Sequence, residues 1–292
     1  MSRFSRIIKN LKYMSKFNLR QFHSFELDLE DSITSTLYYI PNASIVRPNV
    51  IDDSKTIETL YKTKKSMARF GDGEIAIING SDIPFQQYDA KLASRMREIL
   101  QNTNDKLLVG INYWYFYPSY NPNETELDKR WLLFEMPKCR KKLIPLLNFE
   151  TEYIDAGFTG IRTQQNKQND MFYKQIRKIW EKHDVVCVGC REAHQKYEYD
   201  IFDNAKSETW IYVPNKNAFS EYDSILDKIK QYSKKSIVIL MAGPTSKVLA
   251  DDLSKSGYRA LDLGHIAKSY DFYRKQIIIN NDTAKDFWRP DL

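Results

Sequence analysis

Cysteine is scarce, and its scarcity excludes a class of fold. Cys139, Cys187 and Cys190 are the three in 292 residues, an odd and small number that cannot build a disulfide framework and that fits a reducing compartment. Cys187-Val188-Gly189-Cys190 is a lone CxxC with no second ligand pair at zinc spacing, so Val185 to Val188 reads as an ordinary buried strand. No run approaches the roughly 18 to 20 apolar residues that span a bilayer, and no apolar stretch with a small-residue cleavage site opens the chain. The expectation is a protein inside the cell. Missing too are the phosphate loop GxxxxGK[ST], the GxGxxG fingerprint, the HExxH helix and the GxSxG elbow, which removes the usual kinases, nicotinamide enzymes, zinc proteases and serine hydrolases.

Charge is present but unevenly spread. Residues 1 to 25 hold Arg3, Arg6, Lys9, Lys12, Lys16 and Arg20 and no acid, leaving 38 of the 44 basic residues against 38 acidic ones in the rest. The net charge of +6 therefore belongs to the tail. Phe4, Ile7, Ile8 and Leu11 recur there at helical spacing, giving an apolar stripe beside a cationic face. Such a helix either lies on an anionic membrane surface, through residues 3 to 20, or packs on the body of the protein. The neutral body argues against nucleic acid as a partner.

No repeat or Pro/Gly-rich linker divides the chain after its first fifty residues, so the reading is a basic tail and connecting segment over 1–48 and one catalytic domain over 49–292. Apolar, β-rich runs begin near Asp184, Thr209, Ser236 and Arg259, with helix-like stretches between. That rhythm marks βαβ units. Ser66 to Phe70 and Lys106 to Ile111 read as further strands, with a helix over Lys91 to Gln101 between them. The expected fold class is α/β, a Rossmann-like, mostly parallel sheet flanked by helices, whose ligands gather beyond the carboxyl ends of its strands.

Several motifs fall at such ends. Ala68-Arg69-Phe70-Gly71-Asp72-Gly73-Glu74 follows a strand, and its glycines permit a tight loop from which Asp72 and Glu74 project toward a shared hard cation, with Arg69 beside them. A plain exposed loop would look the same. Ala242-Gly243-Pro244-Thr245-Ser246 joins a strand to a helix, where Gly243, Thr245 and Ser246 would leave N–H groups free for an anion, or would simply start a helix. Asp262-Leu263-Gly264-His265 ends the last strand; Asp262 and His265 suit acid/base, ribose or metal contact, or a hydrogen-bonded loop. Arg162 and Arg191 lie in or near loops of the same face and suit phosphate. The cluster Tyr113-Trp114-Tyr115-Phe116-Tyr117 suits core or lid packing, or stacking on a sugar.

Taken together, ARFGDGE at 68–74, LLVGI at 107–111, DIFDNA at 200–205, VPNKNAFSEYDSIL at 213–226 and GPTSKVLADDLSKSGYRALDLGHI at 243–266 resemble the glycosyltransferases of GT-D fold. This bacterial family, first catalogued as a domain of unknown function, occurs in adhesin-glycosylation and surface-polysaccharide systems. The resemblance implies a nucleotide-sugar donor, a UDP-hexose, and a divalent metal, Mn²⁺ or Mg²⁺, on the family's Asp-x-Glu motif, here Asp72 and Glu74. It also puts Arg69, Asn217, Thr245 and His265 near the donor. One departure stands out: Cys190 to Asp200 replaces a glycine-containing Ser-Arg-x-Gly-x-Gly-Asn-Asp stretch, so the loop is shaped differently.

The reading is a metal-dependent transferase that moves a hexose to a glycan or glycoprotein acceptor. Asp200, Asp262 and His265 are the candidates for the acceptor's base; a homo-oligomer and peripheral contact with the inner face of the membrane complete the expected partners. The competing readings are a metal-dependent phosphoester hydrolase and a non-catalytic nucleotide or membrane-surface binding protein.

Overall fold

The computed structural model describes residues 37–38, 45–118, 135–160, 162–279 and 287. The basic helix expected over residues 3 to 20 lies outside them.

Eight parallel strands form one sheet in the order β1-β4-β3-β2-β8-β7-β5-β6. They are β1 (Asn49–Val50), β2 (Ser66–Phe70), β3 (Leu107–Ile111), β4 (Glu152–Asp155), β5 (Asp184–Cys190), β6 (Ser207–Val213), β7 (Ile237–Met241) and β8 (Arg259–Asp262). Central strands of a parallel sheet are covered on both faces, so they read as unbroken apolar runs. Strand β7 shows why: Val238 and Leu240 pack into the core on one face, and Ile237 and Ile239 into the core on the other.

Each core is closed by amphipathic helices. On the first face lie α2 (Asp72–Ile78), α3 (Ala90–Leu100), α4 (Met136–Leu143), α7 (Tyr222–Lys230) and α8 (Thr245–Lys255), and on the second α1 (Asp53–Thr63), α5 (Lys167–Ile176) and α9 (Ile266–Arg274). A single turn, α6 (Arg191–His194), follows β5. Helix starts follow local chemistry. Asp52, Asp89 and Asn166 cap α1, α3 and α5 by accepting the N–H groups of Lys55, Leu92 and Asn169, which satisfies donors the helix itself leaves unpaired.

The six strands expected from sequence are present, in register; Ser66 to Phe70 pairs residue by residue with Leu107 to Ile111. Strands β1 and β4 were not foreseen, because two and four residues are too short to show a periodicity. The Cys187–Cys190 pair is strand as expected, and all three cysteines are free. Within the Tyr113 to Tyr117 cluster, Tyr115 and Phe116 are buried while Trp114 is exposed. Among the described residues no helix is long and apolar enough to cross a membrane.

The chain runs outward from β2 through β3 to β4 on one side and returns inward through β7 to β8 on the other. The carboxyl ends of β2 and β8 therefore stand side by side where the strand order reverses, the position at which open α/β sheets bind ligands.

Candidate active site

Strand β2 ends in Phe70, and the segment expected as a tight loop is instead the first turn of α2, with Gly71 as its N-cap. Asp72 and Glu74 thus occupy the first and third helical positions, which do not face each other on a helix. Glu74 folds back: its Oε2 accepts the Gly71 N–H at 2.9 Å, the half of a capping box that a glycine N-cap allows. Asp72 points outward and is exposed. Its oxygen accepts the neighbouring Gly73 N–H at 3.0 Å. Although solvent reaches it, crowding by protein atoms and then the charge of Glu74 push its pKa above the ordinary aspartate value. The two carboxylates are close enough for the charge of one to act on the other.

Behind them lies a buried ionic cluster. Asp262, at the end of β8, has no exposed surface. One of its oxygens accepts the Arg69 backbone N–H at 3.0 Å and lies 3.2 Å from the Lys247 ammonium; the other faces the Arg69 guanidinium at 3.6 Å. Arg69 also donates to the carbonyls of Asp262 at 2.7 Å and Ala156 at 3.0 Å. Lys247 reaches Glu74 at 2.8 Å. Burial of ions is tolerated only when they are paired and hydrogen-bonded, and here two cations answer two anions. Gly264 makes the approach possible: its φ is +55°, and a Cβ there would collide with the Arg69 guanidinium.

The β7–α8 turn completes the floor. Gly243 has φ +55°. The Ser246 hydroxyl accepts the Ala242 N–H at 2.9 Å, closing the turn rather than facing a ligand. The Thr245 hydroxyl is fully buried with no hydrogen-bond partner. Above the turn, Phe85 stands 3.9 Å from where a Gly243 Cβ would be and 5.6 Å, ring to ring, from the half-buried His265. Asn217, with φ +57°, ties this roof down: its N–H donates to the Phe85 carbonyl and its side chain accepts the Gln87 N–H.

Other expected residues sit apart. Arg162 donates to Asp53 at 2.9 Å and to the Phe158 carbonyl at 2.8 Å, and it covers the Phe172 ring. Its guanidinium is committed to the β1–β4 side of the sheet. Arg191 stays exposed after β5, its guanidinium 3.9 Å from the centre of the Tyr212 ring. Asp200 does not join Asp262 and His265. It accepts the Phe202 N–H at 2.8 Å and hydrogen-bonds Glu208 near the start of β6. Loss of hydration and the Asp200 contact raise Glu208 to about 7. A cavity of about 70 Å³ lies beside them, lined by Trp210, His194 and Tyr199.

Three contributors escaped sequence reasoning: Lys247, Phe85 and Asp155. A lysine in the first turn of a helix opposes the helix dipole, which was the available sign that Lys247 had acidic partners. Asp155, at the end of β4, accepts the N–H groups of Tyr113 and Gly157, and burial lifts it to about 6. Among the described residues no three His, Cys, Asp or Glu side chains gather as a complete metal site. Mg²⁺-type ions are commonly held by one or two carboxylates with substrate phosphates supplying the rest, and Asp72 with Glu74 fits that donor set.

The same architecture occurs in known structures. The highly conserved domain of unknown function 1792, described as having a distinct glycosyltransferase fold, superposes with a TM-score of 0.74 at 27% identity, covering 89% of this chain and 92% of that one. A glycosyltransferase (DUF1792) from Streptococcus sanguinis shares the fold at a TM-score of 0.74 and 24% identity, covering 84% and 94%. By sequence, the glycosyltransferase GlyD of Streptococcus pneumoniae is 28% identical over 256 residues, 85% of this chain and 30% of the relative. A probable glycosyl transferase Gly of Streptococcus gordonii is 27% identical over 232 residues, 77% and 33%. This chain spans about a third of the length of those two relatives. The family model described as "Glycosyltransferase GT-D fold" matches residues 67–285. That span takes in β3 to β8 and every member of the Arg69, Glu74, Lys247 and Asp262 cluster, and with it this chain belongs to the glycosyltransferases of GT-D fold.

Proposed function

We propose that this chain transfers a hexose from a UDP-sugar to a glycan or glycoprotein acceptor in bacterial surface glycan synthesis. The observation that carries this reading is the pair of carboxylates just past the end of β2, Glu74 reaching Lys247 in the first turn of α8 and Asp72, two residues before it, exposed. Asp72 and Glu74 would hold Mn²⁺ or Mg²⁺. Such an ion, when bound, offsets negative charge on a departing nucleoside diphosphate.

The chain's own groups supply the rest. The positive end of the α8 dipole suits the diphosphate; the Ser246 and Lys247 N–H groups already donate to the Gly243 and Pro244 carbonyls, and the Thr245 hydroxyl is sealed inside. Asp262 is too deeply buried to meet an acceptor; it holds Arg69 and Lys247 in place. His265 keeps partial exposure under Phe85, and we assign it the acid/base contact with the acceptor hydroxyl. Asp200, bonded to Glu208, takes no part in this arrangement.

Incubating the protein with UDP-glucose or UDP-galactose, Mn²⁺ and a glycan or glycopeptide acceptor tests the reading. Wild type is expected to transfer the sugar, and Asp72→Asn to lose about a hundredfold or more in kcat. Phosphoester cleavage without transfer would point to a hydrolase, and an unaffected Asp72→Asn would remove Asp72 from the chemistry.

A further inference from the structure

Lys247 is the most deeply placed cation of the site, and its surroundings resemble those of a bound metal. It is 4% exposed. Its Nζ lies 2.8 Å from Glu74 Oε1, 3.2 Å from Asp262 Oδ2 and 3.2 Å from the Gly243 carbonyl. An ammonium has three donors and no acceptor, so these contacts use it fully. Surface lysines keep the charged head in water and bury only the stem; this one buries the head. Two carboxylates and a carbonyl are also the hard oxygen donors that Mg²⁺ and Mn²⁺ prefer.

The ammonium and a dication therefore seek the same oxygens. Glu74 Oε2 is occupied by the Gly71 N–H and Oε1 by Lys247. A dication taking Oε1 would sit next to Nζ, where like charges repel strongly because little water screens them. Among the described residues Asp72 has no cation of this kind, and its oxygen accepts the Gly73 N–H.

Building on the assignment of Asp72 and Glu74 as the metal pair, we propose that Lys247 is the resident counter-cation of Glu74 and competes with the divalent metal for it. The donor-free protein then binds metal weakly, chiefly through Asp72. Tight binding waits for a ligand whose phosphates draw the ammonium away and add oxygens of their own. By linkage, metal and diphosphate reinforce each other through this one side chain.

A titration of Mn²⁺ alone, followed by electron paramagnetic resonance of the free ion, tests the competition without donor or turnover. Lys247→Gln is expected to bind Mn²⁺ about tenfold tighter than wild type, and Lys247→Arg, which keeps the charge, to stay near wild type. A merely structural lysine predicts the opposite, since loosening the site would weaken the metal. Equal or weaker binding by Lys247→Gln overturns the proposal. Should Lys247→Gln fail to fold by circular dichroism, amine labelling of wild type read by mass spectrometry decides. Saturating Mg²⁺ is expected to raise labelling at Lys247, and unchanged labelling overturns the proposal. A failed transfer assay with a successful titration would sink the functional reading and leave this one standing.

Discussion

Two of the places where this sheet sets a carboxylate among protein atoms neutralise it by different means. At the carboxyl ends of β2 and β8, Asp262 and Glu74 are answered by Arg69 and Lys247. Near the start of β6, Glu208 has Asp200 and the Trp210 indole N–H as its neighbours. Cations pair with the first carboxylates, whereas burial and a neighbouring acid favour the protonated form of the second. The difference follows from location. Arg69 and Lys247 flank the carboxyl ends of β2 and β8, whereas the Lys206 ammonium before β6 is paired with Asp184 and Glu208 is left to Asp200.

The largest test is to remove a cation. Arg69→Met strips Asp262 of two contacts, the guanidinium on its carboxylate and on its carbonyl, and is expected to cost about 3 to 5 kcal/mol in denaturant unfolding, the usual penalty for breaking a buried pair by one partner. A loss below about 1 kcal/mol would mean that Asp262 is as easily relieved as Glu208, and the contrast would fail.

Gly264→Ala sharpens the same point at a smaller scale. A left-handed backbone costs about 1 to 2 kcal/mol for a residue with a Cβ, and overpacking against the guanidinium adds about 1 to 3. In an Arg69→Ala background the second part should vanish. A double-mutant cycle that shows no coupling would contradict the close approach of the two residues.

The smallest effect is at Glu208, and its sign depends on pH. The folded-state pKa of about 7 stands above the ordinary 4.5, so its favourable contribution is complete below the ordinary value and is lost as pH climbs through about 7. Glu208→Gln cannot ionise. Its melting temperature is therefore expected to gain on wild type as pH rises from about 4.5 to about 7 and to keep that gain above it. Gain in the opposite direction would show that Glu208 has a cation after all.

These tests bear on residues that the sequence revealed unequally. Strands β5 and β7 were legible because Val185 to Val188 and Ile237 to Leu240 are unbroken apolar runs, the mark of strands covered on both faces. The acids Asp72, Glu74 and Asp262 were legible as well, since each lies at or just past a strand end. Their roles were not. Read linearly, Asp72 and Glu74 look equivalent; the capping bond from Gly71 and the ammonium of Lys247 separate them. Asp200 was one of three candidates for the acceptor's base, and its contact with Glu208 arises only when the chain folds back into β6.

The sequence by itself determined the class of fold and the stock of chemistry: hydrophobic period and capping residues act over a few positions, so they can be read along the chain. Which charges meet was decided only in three dimensions. Arg69 and Asp262 are 193 residues apart in the chain and in contact in the fold, and the energy of an ion pair depends on distance and burial, neither of which a linear pattern carries.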